Sequence, residues 1–173
     1  MKSFSKKIHL LFQVLLFATP LFLIFYWFNV DEALSMGINP FGIPENKKVV
    51  INGLSKAIAF SISLFSTALV MLLFYRLAKL FKNYHNGVVF SEENIQSYKK
   101  LGKYLFLFPF VDFISTGLMT VAFSFQNPTG ERYLGLTLQM SNMLPIIIGL
   151  VIVGIAYVMQ EAQRLEEEMH FTI

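Results

Sequence analysis

Four long hydrophobic blocks dominate the sequence and constrain its fold more than any other feature. They run from about Ile8 to Phe28, Leu54 to Tyr75, Tyr104 to Phe125 and Leu136 to Met159. Each block reaches the length of about 20 apolar residues that an α-helix needs to cross a bilayer. Inside lipid the backbone polar groups must be satisfied within the segment, which favours helices. The sequence therefore predicts an all-α transmembrane four-helix bundle, formed by a single membrane domain over residues 1–173.

The first block has a competing interpretation as a signal peptide. The apolar core of such a peptide is only about 7–15 residues long and is followed by a small-residue cleavage site. The apolar run here is longer, and Asn29-Val30-Asp31-Glu32 follows it without a good cleavage pattern. Tyr26 and Trp27 end the block, as an interfacial aromatic belt would. We therefore predict that this block is retained as the first span.

Basic residues are distributed unevenly around the four blocks. Ten of the fourteen flank one predicted side of the membrane: Lys2, Lys6, Lys7, Arg76, Lys79, Lys82, Lys99, Lys100, Lys103 and Arg164. The other four flank the opposite side: Lys47, Lys48, Lys56 and Arg132. Short loops rich in Lys and Arg stay in the cytoplasm, so this bias predicts that both termini are cytoplasmic. Four spans, an even number, place both termini on one side independently of the charge.

The composition also excludes several kinds of site. Charged residues make up 14% of the chain and hydrophobic residues 55%, whereas soluble domains have about 25% and about 45–50%. The net charge is +3, and the Lys and Arg residues lie beside the hydrophobic blocks and form no separate patch. They therefore indicate topology and contacts with anionic lipid rather than direct nucleic acid binding. The absence of Cys excludes disulfides and cysteine-ligated zinc. Without a catalytic, metal-binding or nucleotide-binding motif, we expect neither an enzyme nor a cofactor.

Asp112 is the most informative single residue. It lies about nine residues beyond Lys103, which at 1.5 Å per residue is about 13 Å, close to the midplane. An ionisable group there costs at least about 2.5–3.5 kcal/mol, so it should face the bundle interior, protonated or paired. The candidate donors are Ser61, Ser63, Ser66, Thr67, Ser115, Thr116 and Asn142. Two interpretations stay open: a proton- or cation-handling site, or a buried structural hydrogen bond.

Other residues of the spans are interpreted structurally. Lys56 could pair with Asp112, but we favour a stem that snorkels to the nearby interface. Small residues at four-residue spacings on the second span predict a packing face: Ala57, Ala59, Ser61, Ser63 and Thr67. Pro109 and Pro145 are expected to kink their spans, since neighbouring helices can meet the backbone cost.

The longest polar stretch between spans runs from Asn83 to Lys100. The second helix is expected to continue past the lipid and to stop at His85-Asn86-Gly87. Ser91 is the expected N-cap of the next helix, because acidic residues follow in its first turn. Phe90 precedes this cap as a hydrophobic staple, and Asn94 is expected to hydrogen-bond back toward the turn.

The chain ends in a charged tail from Gln160 to Ile173, which suits a helix that emerges into water. Its last residues, Phe171-Thr172-Ile173, are expected to be short, extended and apolar. They could dock against the inner loop or offer a strand to a partner. We favour docking within the chain.

Two of these stretches resemble a known family. They are Gly87-Val88-Val89-Phe90-Ser91-Glu92-Glu93-Asn94, followed by Lys100-Leu101-Gly102, and the terminus Glu161 to Ile173. With four spans in this length, they resemble the bacterial domain-of-unknown-function family 2975. That family typically shows Phe-[Ser/Thr]-x-x-Asn before its third span and ends in an acidic stretch that closes with Leu-Thr-[Ile/Val]. Phe171 stands in the Leu position here.

The resemblance implies a bacterial inner-membrane protein without an assigned activity. Members of the family are often encoded beside a small helix-turn-helix regulator, which implies a membrane partner or antagonist of a DNA-binding protein. Our leading hypothesis is therefore a non-enzymatic regulatory or scaffolding protein that contacts lipid and a helix-turn-helix regulator or another membrane protein. The residues expected to carry this role are Phe90, Ser91, Asn94, Phe171, Thr172 and Ile173. The alternative is a small transport or permeation module with Asp112, Asn142 and Ser63 inside the bundle.

Overall fold

The computed structural model describes residues 2–37, 51–136 and 143–171, apart from the side chains of residues 166, 170 and 171. Every regular element in these ranges is a helix. The helices are α1 (Lys2–Phe28), α2 (Val30–Ser35), α3 (Gly53–His85), α4 (Glu92–Ser124) and α5 (Met143–Phe171). All except the short α2 are long and apolar enough to cross a membrane. This confirms the predicted all-α fold with four membrane-spanning helices, and the chain is a multi-pass membrane protein.

The four long helices pack in chain order. α1 packs against α3, α3 against α4, and α4 against α5. Within the described ranges, α1 and α5 share no contact of similar extent, so α3 and α4 form the centre of the molecule. Of the four spans, α4 has the largest share of its apolar stretch buried inside the protein, and α1 has the smallest. The central position of α4 matters for Asp112, which this helix carries.

Both central helices are longer than a bilayer requires. α3 and α4 each have 33 residues, which corresponds to about 50 Å, whereas the hydrocarbon core is only about 30 Å thick. The second helix was predicted to continue to about Lys82, and α3 does so, since it ends at His85.

The excess length projects at an end that we call the basic end, formed by the start of α1, the α3–α4 turn and the C-terminal part of α5. His85 Nδ1 lies 3.0 Å from the carbonyl oxygen of Lys2, which joins the start of α1 to the end of α3. Lys99 Nζ donates to Gln160 Oε1 at 3.0 Å, which joins α4 to α5. The N-terminus and the end of α5 therefore lie at the same end of the molecule. That this end faces the cytoplasm stays a prediction.

The fourth span was predicted to start near Leu136. Leu136 itself lies outside any helix, and α5 is described from Met143 onward, whereas residues 137–142 lie outside the described residues. The kink expected at Pro145 stays a prediction. α4 continues as a helix through the buried Pro109.

Residues 133–135, which follow the turn after α4, fold back onto α4. Thr120 Oγ1 accepts the backbone N–H of Gly135 at 2.8 Å, and Ser124 Oγ donates to the carbonyl oxygen of Tyr133 at 2.9 Å. These two hydroxyls lie one helical turn apart and satisfy backbone groups of residues 133 and 135 that lie outside any helix. Apolar residues in this stretch therefore cover α4 without being helical.

The hydrophobic core lies at the end opposite the basic end. It contains Trp27, Val30, Ala59, Met119 and Phe123, from α1, α2, α3 and α4. The rings of Trp27 and Phe123 stack with centroids 6.4 Å apart. This cluster fixes the order of the first three long helices.

Candidate functional site

Ser63, a predicted intramembrane candidate, lies at the contact between α1 and α3. It is 2% exposed, its Oγ accepts a hydrogen bond from Trp27 Nε1 at 3.0 Å, and it donates to the carbonyl oxygen of Phe60 at 2.7 Å. A hydroxyl has one proton to donate. Ser63 therefore serves the packing of Trp27 and does not donate to Asp112.

Asp112 lies half-buried in the middle of α4. Two more of its predicted donors use their protons elsewhere: Ser61 bonds the carbonyl oxygen of Ala57, and Ser66 donates to Ser115 at 3.3 Å. Lys56 pairs with a different carboxylate, Asp31, at 2.5 Å. Asn142, the predicted donor on the fourth span, lies outside the described residues.

The α3–α4 turn at the basic end has the most elaborate polar geometry. α3 ends in a Schellman motif, in which Val88 N–H bonds the carbonyl oxygen of Asn83 and Gly87 N–H bonds that of Tyr84. Gly87 adopts φ +84°, a left-handed conformation that glycine adopts without a steric cost. The predicted helix stop at His85-Asn86-Gly87 is confirmed.

The start of α4 is also as predicted. Ser91 is the N-cap and accepts the backbone N–H of Asn94. Asn94 is 0% exposed, and its Nδ2 donates to the carbonyl oxygens of Val88 and Val89 at 2.9 Å each. A single side chain thus fastens the turn to the first turn of the helix that follows it.

Asn83 completes this arrangement, although it was not among the site residues predicted from the sequence. Asn83 Nδ2 donates to Asn94 Oδ1 at 2.8 Å and to Glu93 Oε2 at 2.9 Å. Lys79 Nζ lies 2.7 Å from Glu93 Oε1, and the hydroxyls of Tyr84 and Tyr98 lie 2.7 Å apart. The available signal was the placement of polar residues one turn apart near the end of α3, facing polar residues at the start of α4.

Two apolar side chains project from this fixed turn. Val88 is 46% and Phe90 is 51% exposed. The apolar side chains on the lipid-facing parts of the helices are exposed to hydrocarbon, but the turn follows Lys82 and precedes Lys99, which mark the ends of the apolar stretches. We therefore expect Val88 and Phe90 to lie at or beyond the headgroup region, where apolar exposure has a cost.

The C-terminal segment is helical further than the sequence predicted. α5 continues to Phe171, so Phe171 is not part of an extended terminus. Side-chain pairs one turn apart support this helix: Gln163 with Glu167 at 3.0 Å and Arg164 with Glu168 at 2.9 Å, a spacing that stabilises helices. Thr172 and Ile173 lie outside the described residues.

The described residues contain no group of three or more His, Asp or Glu side chains placed to hold a metal ion. In a comparison with protein families, residues 14–173 match the model described as "Protein of unknown function (DUF2975)". No curated protein and no solved structure matches the chain.

Proposed function

The chain belongs to the DUF2975 family of proteins of unknown function, and from that premise we propose that it is a non-enzymatic regulatory or scaffolding protein of the bacterial inner membrane. Its working surface is the α3–α4 turn together with the C-terminal part of α5. The partner is a protein, and a helix-turn-helix regulator or a second membrane protein is the class that the family resemblance implies.

A single observation carries this proposal: the exposed pair Val88 and Phe90 stands on a turn that is held from both sides. Asn94 binds the two carbonyl groups of the turn, and Gly87 completes the Schellman motif. A surface whose backbone is already ordered loses little conformational entropy when it binds a partner. Aromatic side chains such as Phe90 are also enriched at the centres of protein interfaces.

The surroundings of this pair favour a partner with acidic groups. Lys82 and Lys100 are exposed at the same end of the molecule, as are lysines at the start of α1. Lys79 is compensated by Glu93, but the exposed lysines leave the basic end positively charged. Opposite charges on a partner would steer its approach and fix its orientation.

The experiment is affinity purification of the full-length chain from gently solubilised native membranes. We expect a stoichiometric protein partner that the double variant Val88→Ser/Phe90→Ser no longer retains. The matched control is Met36→Ser, because Met36 is also an exposed apolar residue of a turn, 66% exposed, but at the opposite end of the molecule.

Removal of residues 161–173 tests the contribution of the C-terminal segment to the same surface. Recovery of lipid alone, from both the full-length and the shortened chain, would contradict the proposal. Equal retention of the partner by the Val88/Phe90 variant and by the wild type would place the binding surface elsewhere and reject the role of the turn.

A second candidate function is proton- or cation-coupled permeation through the bundle. The observation that favours it is the position of Asp112, half-buried in the middle of the most buried membrane helix. Intramembrane carboxyl groups commonly mark ion pathways. In proteoliposomes, a flux that depends on a proton or cation gradient should be lost in Asp112→Asn and retained in Ser61→Ala. If the wild type shows no such flux, this candidate fails.

A further inference from the structure

α4 and α5 enclose a groove of about 340 Å³ close to the basic end. Lys99 and Lys103 line one part of it, and Phe106 and Leu150 line another. Lys99 and Phe106 are seven residues apart on α4, which corresponds to about 10 Å along the helix axis. The groove therefore changes from charged to apolar over roughly the depth of one lipid headgroup region.

Gly102 on α4 and Gly149 on α5 face each other and form the floor of the groove. A Cβ on Gly102 would collide with Cγ2 of Val153 and would lie 3.0 Å from the carbonyl oxygen of Gly149. A Cβ on Gly149 would lie 3.0 Å from the carbonyl oxygen of Gly102. The backbones of α4 and α5 thus touch at this point, and the side chains on either side form the walls of the groove.

The charged part of the groove is positioned by contacts between the two helices. Lys99 Nζ donates to Gln160 Oε1 at 3.0 Å and lies 5.8 Å from the centre of the Tyr157 ring. Lys103 follows one helical turn later on the same wall. None of the described residues that line the groove is acidic, so no carboxylate of the lining competes with an anion for the two lysines.

A second cleft at the basic end provides a useful contrast. It has a volume of about 410 Å³ and lies between α1, α3 and the start of α4. Lys79 and Lys82 line it, but Glu93 also lines it and lies 2.7 Å from the Lys79 ammonium group. An anion would have to compete with this carboxylate, so the groove between α4 and α5 is the better anion site.

We propose that the groove between α4 and α5 binds one anionic phospholipid, with the phosphate at Lys99 and Lys103 and the first part of the acyl chains beside Phe106 and Leu150. Lysines at headgroup depth attract anionic lipids. A volume of about 340 Å³ is at the lower end of the range for ligand pockets, about 300–1,000 Å³, and suits a headgroup with its adjoining carbons. A soluble anion would leave the apolar part of the groove unused.

The test is native mass spectrometry of the full-length chain in detergent with equal amounts of phosphatidylglycerol and phosphatidylcholine. We expect preferential retention of one phosphatidylglycerol, reduced at least about tenfold in Lys99→Gln/Lys103→Gln. Lys6→Gln/Lys7→Gln is the matched control, since it removes the same charge from exposed lysines of the basic end outside the groove. It should change retention by less than about twofold.

Leu150→Trp provides a variant that keeps both lysines. Leu150 is 63% exposed, so a larger side chain is tolerated there, but it should fill the apolar part of the groove and weaken retention. Three outcomes would overturn the proposal: equal losses in the two lysine variants, equal retention of both lipids by the wild type, or displacement of the bound lipid by an equal concentration of glycerol phosphate. The last would identify a site for soluble phosphate.

Discussion

The contact between α1 and α3 and the contact between α4 and α5 solve the same packing problem in opposite ways. Between α1 and α3, large rings fill the space: Phe12 lies 6.1 Å from Phe74 and 5.8 Å from Phe81, centre to centre, and Trp27 reaches Ser63. Between α4 and α5, Gly102 and Gly149 contribute no side chain, and the backbones touch.

The difference teaches what holds helices together in lipid. Because lipid tails are as apolar as the side chains, association depends on close van der Waals packing and on hydrogen bonds between helices. Large aromatic side chains fill the space between α1 and α3. Between α4 and α5, two glycines let the backbones approach closely. The two should therefore respond to substitutions of opposite kinds.

The largest effect is expected for Trp27→Ala. Trp27 is 8% exposed and contacts both Ser63 and Phe123, so truncation should lower the free energy of unfolding by about 3–5 kcal/mol. The free energy of unfolding can be measured by circular dichroism as sodium dodecyl sulfate unfolds the protein in mixed micelles. Trp27→Phe keeps most of the ring and should cost clearly less. Equal losses in the two variants would show that bulk is unimportant at this contact.

The next effect is expected for Gly102→Ala. One added methyl group collides with the stiff side chain of Val153 and crowds the Gly149 carbonyl, so the free energy of unfolding should fall by about 1–3 kcal/mol. The matched control is Gly154→Ala on α5, where an added Cβ meets no atom within 4 Å. The same unfolding titration in mixed micelles compares them. A Gly102→Ala variant as stable as Gly154→Ala would contradict the glycine contact.

A smaller effect is expected for Asn94→Ala. This variant tests the contact between α3 and α4, for comparison with the α1–α3 and α4–α5 contacts. The substitution removes the donors to Val88 and Val89 and the acceptor for Asn83. It should cost about 1–2 kcal/mol and should make the amides of the α3–α4 turn exchange hydrogen faster. Ser91→Ala removes only the cap and should cost about 1 kcal/mol. Unchanged exchange in Asn94→Ala would refute its role in ordering the turn.

The smallest effect is expected for Ser63→Ala. It removes the acceptor of the Trp27 N–H, and hydrogen bonds between membrane helices contribute on average only about 0.6 kcal/mol. A double-mutant cycle with Trp27→Phe isolates the pair, because each single variant removes the same bond. Additive losses in the double variant would mean that the two side chains are not coupled.

The turn at the basic end could be predicted almost completely from the sequence. The stop at Gly87 and the cap at Ser91 depend on local backbone requirements, which residue type and spacing express directly. The pairing of Asn83 with Asn94 was not predicted, because polar spacing on each helix does not specify which side chains of the two helices meet. Trp27 was expected at an interface with lipid headgroups, but the structure buries it among three helices.

The stretch before the fourth span shows the same limit. Hydropathy predicted a helix from about Leu136 to Met159. Leu136 lies outside any helix, and the hydroxyls of Thr120 and Ser124 bond the backbone of Gly135 and Tyr133 just before it. Hydropathy reports which residues prefer lipid, but it does not report whether their backbone is paired within a helix or with a neighbour.

The sequence alone determined that this chain crosses a membrane four times, because long apolar blocks in hydrocarbon must satisfy their backbone within helices. It also determined where α3 stops and α4 starts. Only the tertiary structure decided which helices touch, that Ser63 serves Trp27, and that Gly102 and Gly149 form the floor of a groove with lysines at its rim. The physical reason is that spanning depends on the summed transfer energy of each segment, whereas packing depends on the shapes of residues distant in sequence.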